Sequence, residues 1–113
     1  MAKVTVTKVL EEDINKKFRG ESVNIFKLIY SLKENPYKGK AVGQIGGIVI
    51  KELRYEKYRF YFITDGYKIK FLEKNEINDI LIKFVRMSDK KTQQKIIDEI
   101  KEILRKLGQE GFE

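Results

Sequence analysis

Basic side chains alternate with apolar ones along the middle of the chain, in segments that read as β-strands. Arg54 follows Glu52 in one such segment, and Arg59 and Tyr61 stand two apart in the next. Successive side chains of a strand point to opposite faces, so each of these pairs shares a face. Lys68 and Lys70 are expected to join them from a third segment. Such a basic face with aromatic content is suited to binding phosphates and stacking on bases.

The residue types that are missing narrow the chemistry further. The chain has no cysteine and no histidine, which excludes disulfides, thiolate zinc sites, and cysteine or imidazole catalysis. Only carboxylates would remain as metal ligands, and these suit Mg²⁺ or Ca²⁺. We therefore expect neither a metal centre nor a cofactor.

The positive charge is concentrated in one part of the sequence. Residues 38–95 carry 14 basic and 7 acidic side chains, a surplus equal to the net charge of +7 of the whole chain. A basic surface on one structural unit attracts polyanions, chiefly nucleic acid. The alternative is a lysine-rich solvated surface without a specific partner.

The hydrophobic pattern predicts helices at both ends of a central sheet. Residues 3–9 alternate as a short strand, and from Glu11 the apolar spacing becomes helical, with a break at Gly20 and an end at Asn35-Pro36. Residues 38–47 read as a glycine-containing loop that fits no phosphate-binding fingerprint. Four strands are then predicted, and an amphipathic helix ends near Gly108. The predicted strands are 48–55, 58–63, 67–72 and 80–85.

These elements predict an α+β fold and one domain, residues 1–113. The basic sheet of residues 48–86 is expected to be antiparallel, and the whole sheet to have four to five strands. Two N-terminal helices should pack on one face, against Tyr58, Phe60 and Phe62, and Asp65-Gly66 should form a hairpin turn. Arg54, Arg59 and the other basic residues should then lie on the open face. With no signal peptide and no membrane span, the cytoplasm is the expected location.

The order of several short strings resembles the RelE/ParE superfamily of toxins from toxin–antitoxin pairs, most specifically its phage-derived, HigB-like branch. The resemblance covers roughly residues 3–107 and includes the Asn-Pro and Lys-Gly-Lys strings before the sheet. The strings that carry it most are Gly46-Gly47, Glu52-Leu53-Arg54, Tyr58-Arg59-Phe60-Tyr61-Phe62, Asp65-Gly66 and Lys90-Lys91-Thr92-Gln93.

This resemblance implies a RelE-like fold and an endoribonuclease that cuts mRNA at the ribosome and is neutralised by a cognate antitoxin protein. The catalytic residues that it implies are Arg54, Arg59, Lys90 and Lys91. Residues expected to bind RNA are Tyr61, Lys68, Lys70 and Arg86. Metal-free cleavage needs a base, an acid and cations that stabilise the phosphorane. Without histidine, a lysine of lowered pKa, Glu52 or a tyrosine could serve as the base, and the sequence does not rank them.

Two other functions stay open. HigB-like sequences often have a histidine at the place that Ile82 occupies here, which favours a ParE-like gyrase inhibitor or a catalytically degenerate nucleic-acid-binding module. Individual residues also have structural interpretations. Arg54 and Arg59 could form cross-strand ion pairs with Glu52 and Glu56, and Tyr61 could simply pack in the sheet.

Overall fold

The computed structural model describes residues 2–65 and 81–112. In these ranges the chain forms five β-strands and three α-helices, with short 3-10 turns after α1, α2 and α3. The elements in chain order are β1 (Lys3–Val6), α1 (Lys8–Phe18), α2 (Ser22–Tyr30), β2 (Lys40–Ile45), β3 (Ile48–Tyr55), β4 (Tyr58–Thr64), β5 (Leu81–Ser88) and α3 (Gln93–Leu107).

The strands form one mixed sheet in the order β1-β5-β4-β3-β2. Strands β2 to β5 are a sequential antiparallel meander, and β1 pairs with β5 in parallel, with Val4 opposite Ile82. The α+β class is therefore confirmed, whereas the prediction of an antiparallel sheet is wrong for this edge pair. Alternation in a sequence shows which residues share a face, but it does not show the direction of the neighbouring strand.

Strand β2 was predicted to be a loop. Its sequence from Lys40 to Ile45 contains Gly43, and the β2–β3 register shifts between Ala41 and Gly43. A glycine and a bulge weaken the period-two pattern, which explains why this edge strand was missed. The glycine has a packing role, because a Cβ at Gly43 would come within 2.8 Å of the Lys101 side chain on α3. The predicted strand at 67–72, and the glycine of the Asp65-Gly66 turn, lie outside the described residues.

The first face of the sheet is covered by the two N-terminal helices, as predicted. Helix α1 begins after Thr7, whose hydroxyl accepts a hydrogen bond of 3.3 Å from the Leu10 amide. The predicted break at Gly20 is confirmed, because α1 ends at Phe18 and α2 begins at Ser22. The second helix ends at Tyr30, earlier than Asn35-Pro36. The buried side chains of this first core include Leu10, Ile14, Ile25, Ile29, Leu32, Leu53, Phe60, Phe62 and Phe84.

The second face is covered by α3. Its buried seam of Ile97, Ile100 and Leu104 was predicted from the helical spacing, although Leu107 is exposed. These residues pack on Ile50, Tyr61, Ile63, Val85 and Phe112 in a second core. Contacts from β5 to the helix fix its direction: Arg86 pairs with Glu99, and Lys83 donates to the carbonyls of Gln109 and Phe112. Helix α3 thus runs antiparallel to β5, and its first turn lies towards the Ser88 end of the sheet.

Candidate nucleic-acid interface

Strand register places the predicted site residues in two rows across the second face. Arg54 is opposite Arg59, and Arg59 is opposite Ser88. One step further along the face, Glu52 is opposite Tyr61, and Lys40 of β2 extends this second row. Directly opposed residues of antiparallel strands share a face. The sheet therefore brings Arg54 and Arg59 together, as the sequence predicted.

The second face is not open, however, and the prediction that it is exposed was wrong. Tyr61 is fully buried, and Arg59 is only 4% exposed. Both faces of this sheet carry apolar side chains, since Ile50, Ile63 and Val85 lie on the same side as Tyr61. An amphipathic helix that buries this surface is stabilised by about 25 cal/mol per Å² of apolar area. That requirement draws α3 over the middle of the face and leaves only the Arg54 end uncovered.

Arg59 makes a buried ion pair with Glu52. Its Nε lies 3.8 Å from Glu52 Oε2, and the two side chains are 5% and 10% exposed. This distance is longer than a hydrogen bond, and Arg59 Nε has no hydrogen-bond partner among the described residues. Nη1 donates to the Lys57 carbonyl at 3.3 Å. The structural interpretation of Arg59 as a cross-strand ion-pair partner of Glu52 is thus confirmed, and its predicted catalytic role stays a prediction.

Tyr61 is held in place by a hydrogen bond at its buried end. Its hydroxyl lies 2.8 Å from the Ser88 hydroxyl, and either can donate. Burial raises the pKa of Tyr61, while the Ser88 hydrogen bond and Arg59 oppose the rise. A phenol with a raised pKa is a poor base at neutral pH. The packing interpretation of Tyr61 is confirmed, and stacking of a base on this ring is excluded by its complete burial.

Arg54 is exposed and opens onto a cavity of about 410 Å³. We call this the basic cavity; it is lined by Lys38, Gly39, Lys40, Glu52, Leu53 and Arg54. Gly39 has φ = 105°, and a Cβ there would come within 2.9 Å of the Phe62 ring and 3.1 Å of the Glu52 carbonyl oxygen. Only glycine fits this close approach, which sets the two flanking lysines against β3. The Lys-Gly-Lys string was noticed in the sequence, but no role was predicted for its lysines.

Lys90 and Lys91 are exposed in the turn between β5 and α3. Asp89 fixes this turn, because its Oδ1 accepts hydrogen bonds of 3.0 Å from both the amide and the hydroxyl of Thr92. The same hydrogen bonds lower the pKa of Asp89. Since Ser88 is opposite Arg59, the turn that follows it lies at the Arg54 end of the sheet. The two lysines are therefore placed at the uncovered end, as a shared site requires.

The predicted RNA-binding residues fare differently. Arg86 is half-buried, with its Nε 3.1 Å from Glu99 Oε1 and its guanidinium 5.3 Å from the centre of the Phe112 ring. These contacts tie β5 to α3 and to the C-terminal segment, which gives Arg86 a structural role. Lys68 and Lys70 lie outside the described residues.

Among residues 2–65 and 81–112, no group of three acidic side chains is arranged to hold a metal ion, and no helix is long and apolar enough to cross a membrane. Comparison of the chain with protein-family models, curated proteins and solved structures found no match in any of the three. The functional argument consequently depends on the residues themselves.

Proposed function

We propose that the protein is the toxin of a toxin–antitoxin pair and cuts mRNA at the ribosome without a metal ion. The proposal joins the resemblance of the sequence to HigB-like toxins with the distribution of cations in the fold. The observation that carries it is the grouping at one sheet end of exposed Arg54, the basic cavity, and the turn with Lys90 and Lys91. An mRNA strand has one phosphate per nucleotide, and this cluster offers several cations within its reach.

In this proposal the exposed cations perform the chemistry. The 2′-hydroxyl of the RNA loses its proton and attacks the adjacent phosphorus, and the 5′-oxygen leaves with a proton. Arg54 stabilises the charge on the phosphorane, for which its planar guanidinium is well suited. Lys90, Lys91 or Glu52 takes the first proton, and a lysine supplies the second. Tyr61 is the weakest of the bases considered, because burial raises its pKa.

Arg59 has a positioning role in this account. Its buried ion pair with Glu52 holds β3 and β4 in the register that places Arg54 at the sheet end. Contact between Arg59 and RNA would need movement of the side chains that bury it. We therefore expect its substitution to change folding stability first and cleavage second.

The proposed partners are mRNA on the ribosome and a cognate antitoxin, and the proposed place of action is the cytoplasm. The test is addition of the protein to a translating extract, followed by primer extension on a defined mRNA. We expect new 5′ ends within the translated region that disappear when initiation is blocked. The absence of new ends at all protein concentrations would overturn the proposal.

A second candidate is a nucleic-acid-binding module of the same fold without cleavage. Ile82 stands where HigB-like sequences often have a histidine, and its side chain is fully buried in the first core. This position therefore contributes packing and cannot supply an acid or a base. Binding of a single-stranded RNA with a strong salt dependence, together with intact mRNA in the extract, would favour this candidate. Inhibition of supercoiling by gyrase would instead identify the ParE-like variant.

A further inference from the structure

The basic cavity has the size and the donors and acceptors of a nucleotide site. Its volume of about 410 Å³ is within the range of small-ligand pockets, roughly 300–1,000 Å³. Lys38, Lys40 and Arg54 supply positive charge, and Glu52 supplies one carboxylate. Cations alone would fit any phosphate. The carboxylate is the unusual member, because it repels a phosphate and accepts hydrogen bonds only.

The position of Glu52 separates the two kinds of group. Its side chain is 10% exposed and its Oε2 is paired with buried Arg59, whereas both lysines and Arg54 are exposed. The cavity is thus cationic at its rim and has an acceptor at its inner wall. The 3.8 Å separation from Arg59 leaves lone pairs of the carboxylate free for a ligand.

We propose that the basic cavity binds one guanine nucleotide of single-stranded RNA, with its phosphates at the rim and its base against Glu52. Guanine presents two adjacent donors, N1–H and the N2 amino group, which match the two oxygens of a carboxylate. Adenine and cytosine present an amino group beside an acceptor, and uracil presents one N–H between two carbonyl oxygens. The carboxylate therefore favours guanine and disfavours uracil most.

This inference deepens the proposed function, since it gives that function a base preference next to the cleavage cations. It can nevertheless be tested without ribosomes. The probes are the 3′,5′-bisphosphates of guanosine, adenosine, cytidine and uridine, which carry the same phosphates and differ only in the base. Binding to the full chain is measured by titration calorimetry.

We expect guanosine bisphosphate to bind about tenfold or more tightly than uridine bisphosphate, since a hydrogen bond to a charged group accounts for such a factor. The bisphosphate of 1-methylguanosine lacks one donor and should bind as weakly as the uridine probe. This ligand comparison needs no variant. Equal affinity for all five probes would overturn the base preference.

Two substitutions at exposed positions test the phosphate part. Lys40→Gln and Arg54→Gln should each weaken all probes about threefold to tenfold and leave the ratio between bases unchanged. Matched controls are Lys16→Gln on α1 and Arg105→Gln on α3, both exposed and remote from the cavity. Affinities of the cavity variants equal to those of the controls would overturn the site. Cleavage of mRNA without guanine-selective binding contradicts this inference alone, and selective binding without cleavage contradicts the nuclease alone.

Discussion

The hydroxyls of Tyr61 and Ser88 lie 2.8 Å apart and join β4 to β5 at a point that α3 helps to bury. Their hydrogen bond shares an end of the sheet with the ion pair of Arg59 and Glu52. The exposed cations at that end thus stand on a buried polar framework. Several predictions separate the stability supplied by this framework from the activity proposed for the cations.

Removal of the Tyr61 hydroxyl should destabilise the fold moderately. Tyr61→Phe leaves the Ser88 hydroxyl without its partner, and we expect a loss of about 1 kcal/mol in the free energy of unfolding. Urea unfolding of Tyr61→Phe, Ser88→Ala and the double variant forms a cycle. The double variant should lose less than the sum of the single losses. Strict additivity would show that the two hydroxyls do not interact.

Breaking the buried ion pair should cost far more. Arg59→Gln leaves Glu52 without its cation, and removal of one partner of a buried pair typically costs about 3–5 kcal/mol. The control is Glu102→Gln on α3, whose exposed pairs with Arg105 and Lys106 are worth at most about 1 kcal/mol. Denaturant unfolding compares the two variants. A loss for Arg59→Gln as small as that of the control would show that the pair has no structural role.

Tyr61 should ionise at higher pH than the exposed tyrosines. Its pKa is raised above the ordinary value of 10.0 by burial, so its phenol stays protonated in the folded state after that of the unfolded chain has ionised. Its contribution to stability is therefore complete below pH 10 and is lost as the pH rises through the higher folded pKa. Absorbance of tyrosinate near 295 nm should show a late component that is missing in Tyr61→Phe. Ionisation of Tyr61 together with exposed Tyr37 would contradict its burial.

The C-terminal segment should contribute to folding through Phe112. This ring is 2% exposed in the second core and has Arg86 above it. Phe112→Ala should lower the free energy of unfolding by about 3 kcal/mol. Leu107→Ala, at a residue that is 66% exposed, is the control and should change it little. Equal effects of the two substitutions in urea unfolding would show that the segment does not pack as described.

The sequence predicted the elements with strong periodicity and missed those decided by tertiary contacts. The seam of α3, the break at Gly20 and the first core follow from apolar spacing, which is local. The parallel pairing of β1 with β5 depends on where the returning chain is inserted, and the bulged β2 has no clear alternation. Neither property is written in a short segment.

The candidate site was predicted in part for the same reason. Alternation placed Arg54, Arg59 and Tyr61 on one face correctly, but it could not show that α3 packs on that face. Apolar Ile50 and Ile63 in the same strands were the available signal, since a face that carries them needs a cover. The basic cavity was missed because it joins residues on two strands, and Gly39 brings them together through a contact with Phe62 that only the fold reveals.

Single-turnover cleavage of mRNA on purified, stalled ribosomes tests the central claim most directly. The wild-type chain should produce a 5′-hydroxyl end at the ribosomal A site. Removing one charge that stabilises the transition state typically costs about 10²–10³ in rate, so Arg54→Ala and a Lys90→Ala/Lys91→Ala variant should cut at least 100-fold more slowly. Arg105→Ala and Lys95→Ala, at exposed positions on α3, should cut as the wild type does. Intact mRNA with the wild type, or equal rates for all variants, would contradict a nuclease built on these cations.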